Sequence, residues 1–236
     1  MTKTFSLMFF LFFLVSCNKN PEDACNKSDA TTSIGETATC STTPTTPIDP
    51  TTGTDPIPPA DEPSDPAVPA LAYSWDTNVY MVNFNAAQEE KVNKAIVLIK
   101  KVIASKEFKE RVLNYTYNGS KSFIDNGGFT NEQIYQKILE SSETMNGNKN
   151  NIMDVELELY YQSTSTIGYT YPDTVRIWMN TKYFDNYTPV EVADNLTHEW
   201  THKLGFAHAS KYSVARDHSV PYAIGYLVEE LAAKYK

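Results

Sequence analysis

From Leu71 onward the apolar positions follow two kinds of spacing, and each spacing specifies a kind of element. Val92, Ala95, Ile96, Ile99, Val102 and Ile103 recur every three or four positions, the repeat of a helix that buries one stripe. The spacing predicts a long amphipathic helix over residues 85–105. Ser105-Lys106-Glu107-Phe108 begins a shorter helix running to about Tyr115. A third starts at Thr130-Asn131-Glu132-Gln133, a capping box in which the threonine takes the first free amides and Gln133 reaches back, and it runs to about Ser141. Asn118-Gly119 and Asn126-Gly127-Gly128 mark loops between these segments.

Further on the period changes to two. Val155 to Tyr161 alternate as a strand does, and so do Thr174 to Asn180, where Val175, Ile177 and Met179 face one way and Arg176, Trp178 and Asn180 the other. The stretch STSTIGYTYPD between them reads as a long irregular connection. Thr188-Pro189-Val190-Glu191 then opens another capped helix, with proline at its first position. Gly205 ends it. Ala193, Leu196, Trp200 and Leu204 share one face of this helix, and His198 and His202 stand roughly opposite. Helices and strands in this order specify an α+β domain over residues 71–236.

The first 70 residues have another character. Lys3 precedes an apolar run, Phe5 to Val15, too short for a permanent membrane span and built as a secretory signal, so residues 1–16 read as a signal peptide. Leu14-Val15-Ser16-Cys17 resembles the lipobox of bacterial lipoproteins. That resemblance implies lipidation of Cys17 and a lipid-anchored protein of the cell envelope, outside the cytoplasm; the plainer alternative is an ordinary signal peptide that ends near a cysteine. Residues 17–70 are rich in Thr, Pro and Asp and cannot bury enough apolar surface to offset their ordering entropy, which makes them a disordered tether. Cys25 and Cys40 fall in this tether, where export permits a disulfide between them. No cysteine follows Cys40, so the folded part has neither a thiol nucleophile nor a cysteine-bound zinc.

Composition adds two exclusions. A formal charge of −9 offers no basic face for nucleic acid. With 41% apolar and 12% aromatic residues, the chain has ample material for a core. A monomer suffices.

The candidate chemistry lies in HEWTHKLGFAH, His198 to His208. The chain has four histidines, and three of them stand here at i, i+4 and i+10. Residues four apart on a helix lie one above the other, so His198 and His202 can share one ion. Gly205 permits the positive φ that throws the chain out of the helix, which lets His208 return as the third ligand. Three neutral ligands leave a fourth position open for water, as a catalytic zinc requires. Glu199 falls beside that water, placed to take its proton and deliver it to a leaving amine. The expected reaction is hydrolysis of a peptide bond.

The stretch is similar, at every fixed position, to the zinc signature of the metzincin metallopeptidases. That resemblance implies a twisted mixed sheet, a long helix, an active-site helix, a tight methionine turn and a C-terminal helix, here Pro221 to Tyr235. It also implies one catalytic Zn2+, a protein or peptide substrate, and an edge strand that pairs with the substrate, here Thr174 to Asn180 with Arg176, Trp178 and Asn180. The chain departs from the pattern in having no methionine after Met179; the expected turn reads Ser219-Val220-Pro221-Tyr222, which points to a divergent bacterial branch. Tyr222 reads either as a packing residue or as a hydroxyl that stabilises the oxyanion. His218, ten residues past His208, lies outside the ligand spacing. A second reading remains open: a zinc-containing surface module, weak or inactive as a catalyst, that binds glycan or peptide through the tyrosines between Tyr160 and Tyr171.

Overall fold

The computed structural model describes residues 75–235, without 146 and 148, and the backbone of residues 15–17. Residues 1–14 and 18–74, which include most of the expected signal peptide and tether with Cys25 and Cys40, lie outside the described residues. In chain order the elements are β1 (Val15–Cys17), β2 (Asp76–Val82), α1 (Ala86–Ala104), α2 (Lys106–Leu113), α3 (Asn131–Glu140), β3 (Ile152–Tyr160), β4 (Gly168–Thr170), β5 (Arg176–Asn180), α4 (Thr181–Phe184), α5 (Pro189–Lys203), α6 (Val214–Asp217) and α7 (Val220–Ala232). The domain is mixed α+β. Among the described residues no helix is long and apolar enough to cross a membrane.

The sheet has the order β1-β4-β5-β3-β2. β2, β3 and β5 run parallel, and α1, α2 and α3 make the long crossover that a parallel pair needs. β4 returns through a short connection and pairs antiparallel with β5. β1 lies antiparallel on its far side, Cys17 opposite Gly168.

This order corrects one expectation. β5, with Arg176, Trp178 and Asn180, is an interior strand flanked by β3 and β4, so it is not the edge that a peptide could join. The edges among the described strands are β1 and β2, and β4 lies between β1 and β5. Three residues inside a polar stretch are too few for an alternation of period two to register, which hides such a strand from a sequence reading.

The apolar stripe read from the sequence is the buried face of α1: Val92, Ala95, Ile96, Ile99, Val102 and Ile103, joined by Leu98. Asn85 and Gln88 close a capping box at its start. The stripe packs against α5 and α7. Trp200 of α5 is fully buried and meets Trp75 edge to face at 5.9 Å. Its indole N–H donates to the Glu143 carboxylate at 2.7 Å, which also accepts from the Asp154 amide at 2.9 Å. A buried carboxylate is tolerable only with such donors, and this one fastens α5 to β3.

α5 and α7 approach closely because α7 has a glycine at the crossing. A Cβ on Gly225 would stand 2.4 Å from Asp194 Oδ1 and 3.3 Å from His198 Cβ. Gly225→Ala must displace Asp194 and strain the turn that carries His198, at an expected cost of about 1–3 kcal/mol. Urea unfolding measures this; an unchanged midpoint would contradict the packing.

Candidate metal centre

α5 is specified at both ends by its own sequence. Thr188 Oγ1 accepts from the Glu191 amide, and the Glu191 carboxylate accepts from the Thr188 amide at 2.8 Å, so the expected capping box forms. Leu204 caps the other end, and Gly205 follows with φ +91°, the left-handed geometry that turns the chain away. The Gly205 amide donates to His202 O at 3.0 Å and the Phe206 amide to Thr201 O at 3.2 Å. These bonds tie up carbonyls of the last turn and bring Phe206 back under the helix.

The turn also orients a ligand. His202 Nδ1 lies 2.7 Å from the Phe206 carbonyl oxygen, so the Nδ1 hydrogen donates there and the lone pair sits on Nε2. His208 is oriented likewise, with Nδ1 3.0 Å from Ala209 O. The imidazoles of His198, His202 and His208 offer nitrogens that all lie within 4.8 Å of one another, and the three residues can hold a metal ion. His198 Nε2 and His208 Nε2 stand 3.2 Å apart. Two nitrogens on one tetrahedral zinc, each about 2.0 to 2.1 Å from it, are separated by roughly 3.3 Å. The donor set and its spacing fit that ion.

Burial keeps the rings of His202 and His208 neutral. It is the main force pushing His202 down to about 3, with the neighbouring His208 adding to the effect and the Phe206 carbonyl opposing it. Burial foremost also lowers His208, helped by the positive charge of Arg216. The unfolded chain takes a proton on His202 near 6.5 that the folded chain refuses down to about 3. Stability of the metal-free protein is therefore full above pH 6.5 and falls as the pH drops toward 3, by up to about 1.4 kcal/mol per pH unit for this one proton. Acid unfolding followed by circular dichroism should show that slope, and removing His202 should flatten it.

Glu199 is fully buried, one position after the first histidine. β4 passes beside it. A Cβ on Gly168 would stand 3.0 Å from Glu199 Oε1, 3.1 Å from Trp178 O and 3.2 Å from Asn195 Oδ1, so only glycine lets the strand run this close to the carboxylate. Lys203, the residue after the second histidine, holds the connection that follows β4: its buried ammonium donates to the carbonyls of Tyr171, Thr174 and Arg176. Desolvation pushes that ammonium down to about 8. Helix and strand are thus laced together on the side of the histidines that carries Glu199.

No protein-family model, curated protein or solved structure matches this chain. The arrangement of its own residues is therefore the ground for any functional reading.

The structure brings four of the expected site residues together, His198, His202, His208 and Tyr222, with Glu199 one residue after His198 and its carboxylate beside Gly168. The Tyr222 ring is buried, with its centroid 4.4 Å from that of His198 and 4.7 Å from that of His208. Asn180 lies elsewhere, fully buried, its amide donating to Gln162 O and Thr166 O and accepting from the Gln162 and Lys182 amides. It fixes the loop that leads into β4. Arg176 pairs with Glu156 and Glu158 on the other face of the sheet. There Trp178 stacks on Tyr169 at 5.0 Å, with Tyr160 and Tyr171 edge-on to Tyr169, so the aromatic rings largely cover one another. His218 is no ligand; its Nδ1 meets Tyr115 Oη at 2.6 Å, and its ring packs on Tyr117.

Sequence reasoning missed Gly168, Asn195, Lys203 and Arg216. Lys203 carried a signal, being a charged residue on the inward side of a helix, where it needs acceptors. Gly168 carried only its scarcity in a chain with nine glycines.

Proposed function

We propose that this chain is a zinc-dependent endopeptidase of metzincin type, carried on a lipid anchor at Cys17 outside the cytoplasm. The observation that carries the reading is the convergence of the three imidazoles, with a fully buried glutamate, Glu199, directly after the first of them. When bound, zinc supplies Lewis acidity toward a water and an amide carbonyl. Glu199 removes a proton from the attacking water and returns it to the amide nitrogen as the C–N bond breaks, so a carboxylate and an amine leave. Its burial shields that transfer from bulk solvent. His202 and His208, kept neutral by burial and aimed by their carbonyl partners, keep their lone pairs available at neutral pH.

The sheet supports a peptide as substrate. The outer edge of β4 accepts an extended segment antiparallel to it, as β1 does over Gly168 to Thr170. An extended peptide taking that place gains backbone hydrogen bonds independent of its sequence, with the Gly168 register beside Glu199. Cleavage before Cys17, as the lipobox resemblance implies, removes Val15 and Ser16 from this edge.

The test is a digest of a denatured-proteome peptide library by the purified domain, read by mass spectrometry with and without a chelator. New termini that vanish with chelator and return with added zinc are expected. Cleavage indifferent to chelator, or none after zinc loading, would overturn the proposal.

A further inference from the structure

The ligands of the proposed centre are not equally well supported. His198 and His202 project from a buried helix, whereas His208 sits in a loop whose neighbours Ala207, Ala209, Ser210, Lys211 and Tyr212 are all exposed. Its Nδ1 lies 3.0 Å from the carbonyl oxygen of the next residue, a bond local to the loop. The ring of Tyr222 packs on both this loop ligand and a helix ligand, His208 and His198.

Tyr222 is held in its turn. The guanidinium carbon of Arg216 lies over its ring, 4.6 Å from the centroid, and 5.2 Å from the ring of Tyr212. Arg216 is only 2% exposed, although its short helix α6 otherwise carries exposed residues such as Val214. Burying a guanidinium is unfavourable without compensation. Here the ring face of Tyr222 compensates by cation–π attraction, and the Asp217 carboxylate lies 3.8 Å away. Ser213 sets the position of Arg216 by capping α6, its hydroxyl accepting from the Arg216 amide at 3.1 Å.

We infer that Tyr222 serves the metal centre through its ring, as a floor that fixes His208 against His198, and that Arg216 is the positioning residue that clamps this floor. The inference rests on the proposed metal site and assigns the support of its loop ligand to an aromatic–cation stack. It separates ring from hydroxyl: the phenol oxygen is dispensable for holding metal, while the ring and the guanidinium are not. Groups that support a ligand without binding metal typically set affinity by 10- to 100-fold.

The experiment is a competitive chelator titration of zinc, with the visible spectrum of the cobalt-substituted protein as a second readout, on wild type, Tyr222→Phe, Tyr222→Ala, Arg216→Met and Arg216→Lys. Tyr222→Phe should bind zinc within about threefold of wild type and keep its cobalt spectrum. Tyr222→Ala and Arg216→Met should bind about 10- to 100-fold more weakly, and Arg216→Lys, which restores a cation, should recover part of the loss. Should Tyr222→Ala fail to fold, Arg216→Met read against Arg216→Lys decides. Wild-type protein that binds no zinc overturns the metal centre and this inference together. Zinc-binding wild type with Arg216→Met equally tight, or with Tyr222→Phe as weak as Tyr222→Ala, overturns this inference alone.

Discussion

Glu199→Gln should lose peptide hydrolysis by at least about 10²- to 10⁴-fold while binding zinc as tightly as the wild type. The magnitude is that of removing a positioned general base, and glutamine nearly preserves the side-chain volume at a fully buried position. It also keeps an oxygen and a polar group facing Gly168, so the close passage of β4 survives. The loss should fall on kcat rather than KM, because the carboxylate acts on the proton in flight and the edge of β4 does the binding. Steady-state kinetics on a peptide found in the library digest, with zinc content measured on the same samples, checks both halves. Unchanged kcat would remove Glu199 from the chemistry; lost zinc would make it a ligand instead.

His202→Ala should remove zinc altogether under conditions where wild type is loaded. It deletes a buried imidazole, whose Nε2 is aimed by the Phe206 carbonyl on the other side of the ring. Two remaining histidines, 3.2 Å apart at their Nε2 atoms, make an incomplete set, so the loss should exceed the 10- to 100-fold typical of a supporting group. The same variant leaves an apolar gap beside Phe206. Its metal-free form should nonetheless resist acid better than the metal-free wild type, since it lacks one group that must be charged on unfolding. Direct metal analysis after dialysis against a weak chelator tests the first claim, and a pH titration of folding tests the second.

The elements legible in the sequence are those whose signals are local and repeated. α1 announced its buried face by six apolar residues at helical spacing, and α5 announced its limits by Thr188, Pro189, Glu191 and Gly205, each of which does in the structure what its side chain or backbone allows. The histidine geometry was legible for the same reason, because i, i+4 spacing on a helix is itself a three-dimensional statement. What escaped was tertiary. β4 is three residues long, and its membership in the sheet depends on the backbone bonds of β5, which no side-chain pattern encodes. β2 was likewise unforeseen, since its outward residues include an exposed tyrosine, Tyr80. Asn180 faces away from Arg176 and Trp178 in burial, though not in strand parity: it caps α4 and so turns inward at the end of the strand. Tyr222 was legible as a residue worth naming, and its contact with two ligands was not, because α7 reaches the histidines only through its packing against α5.

The arrangement around β4 gives the fold its functional logic. Lys203 and Asn180 hold the two ends of the connection that contains it, one from the active-site helix and one from the end of β5. Gly168 then brings its backbone against Glu199. β4, the strand on which the proposed substrate would pair, is thereby fixed relative to Glu199.

The measurement that tests the central claim most directly is X-ray absorption at the zinc edge on purified wild-type protein, with the metal stoichiometry determined alongside. One zinc per chain, bound by three imidazole nitrogens and one further light atom that azide or a hydroxamate displaces, is the predicted result. No bound zinc, or a closed shell completed by a fourth protein ligand that no small molecule displaces, would contradict it.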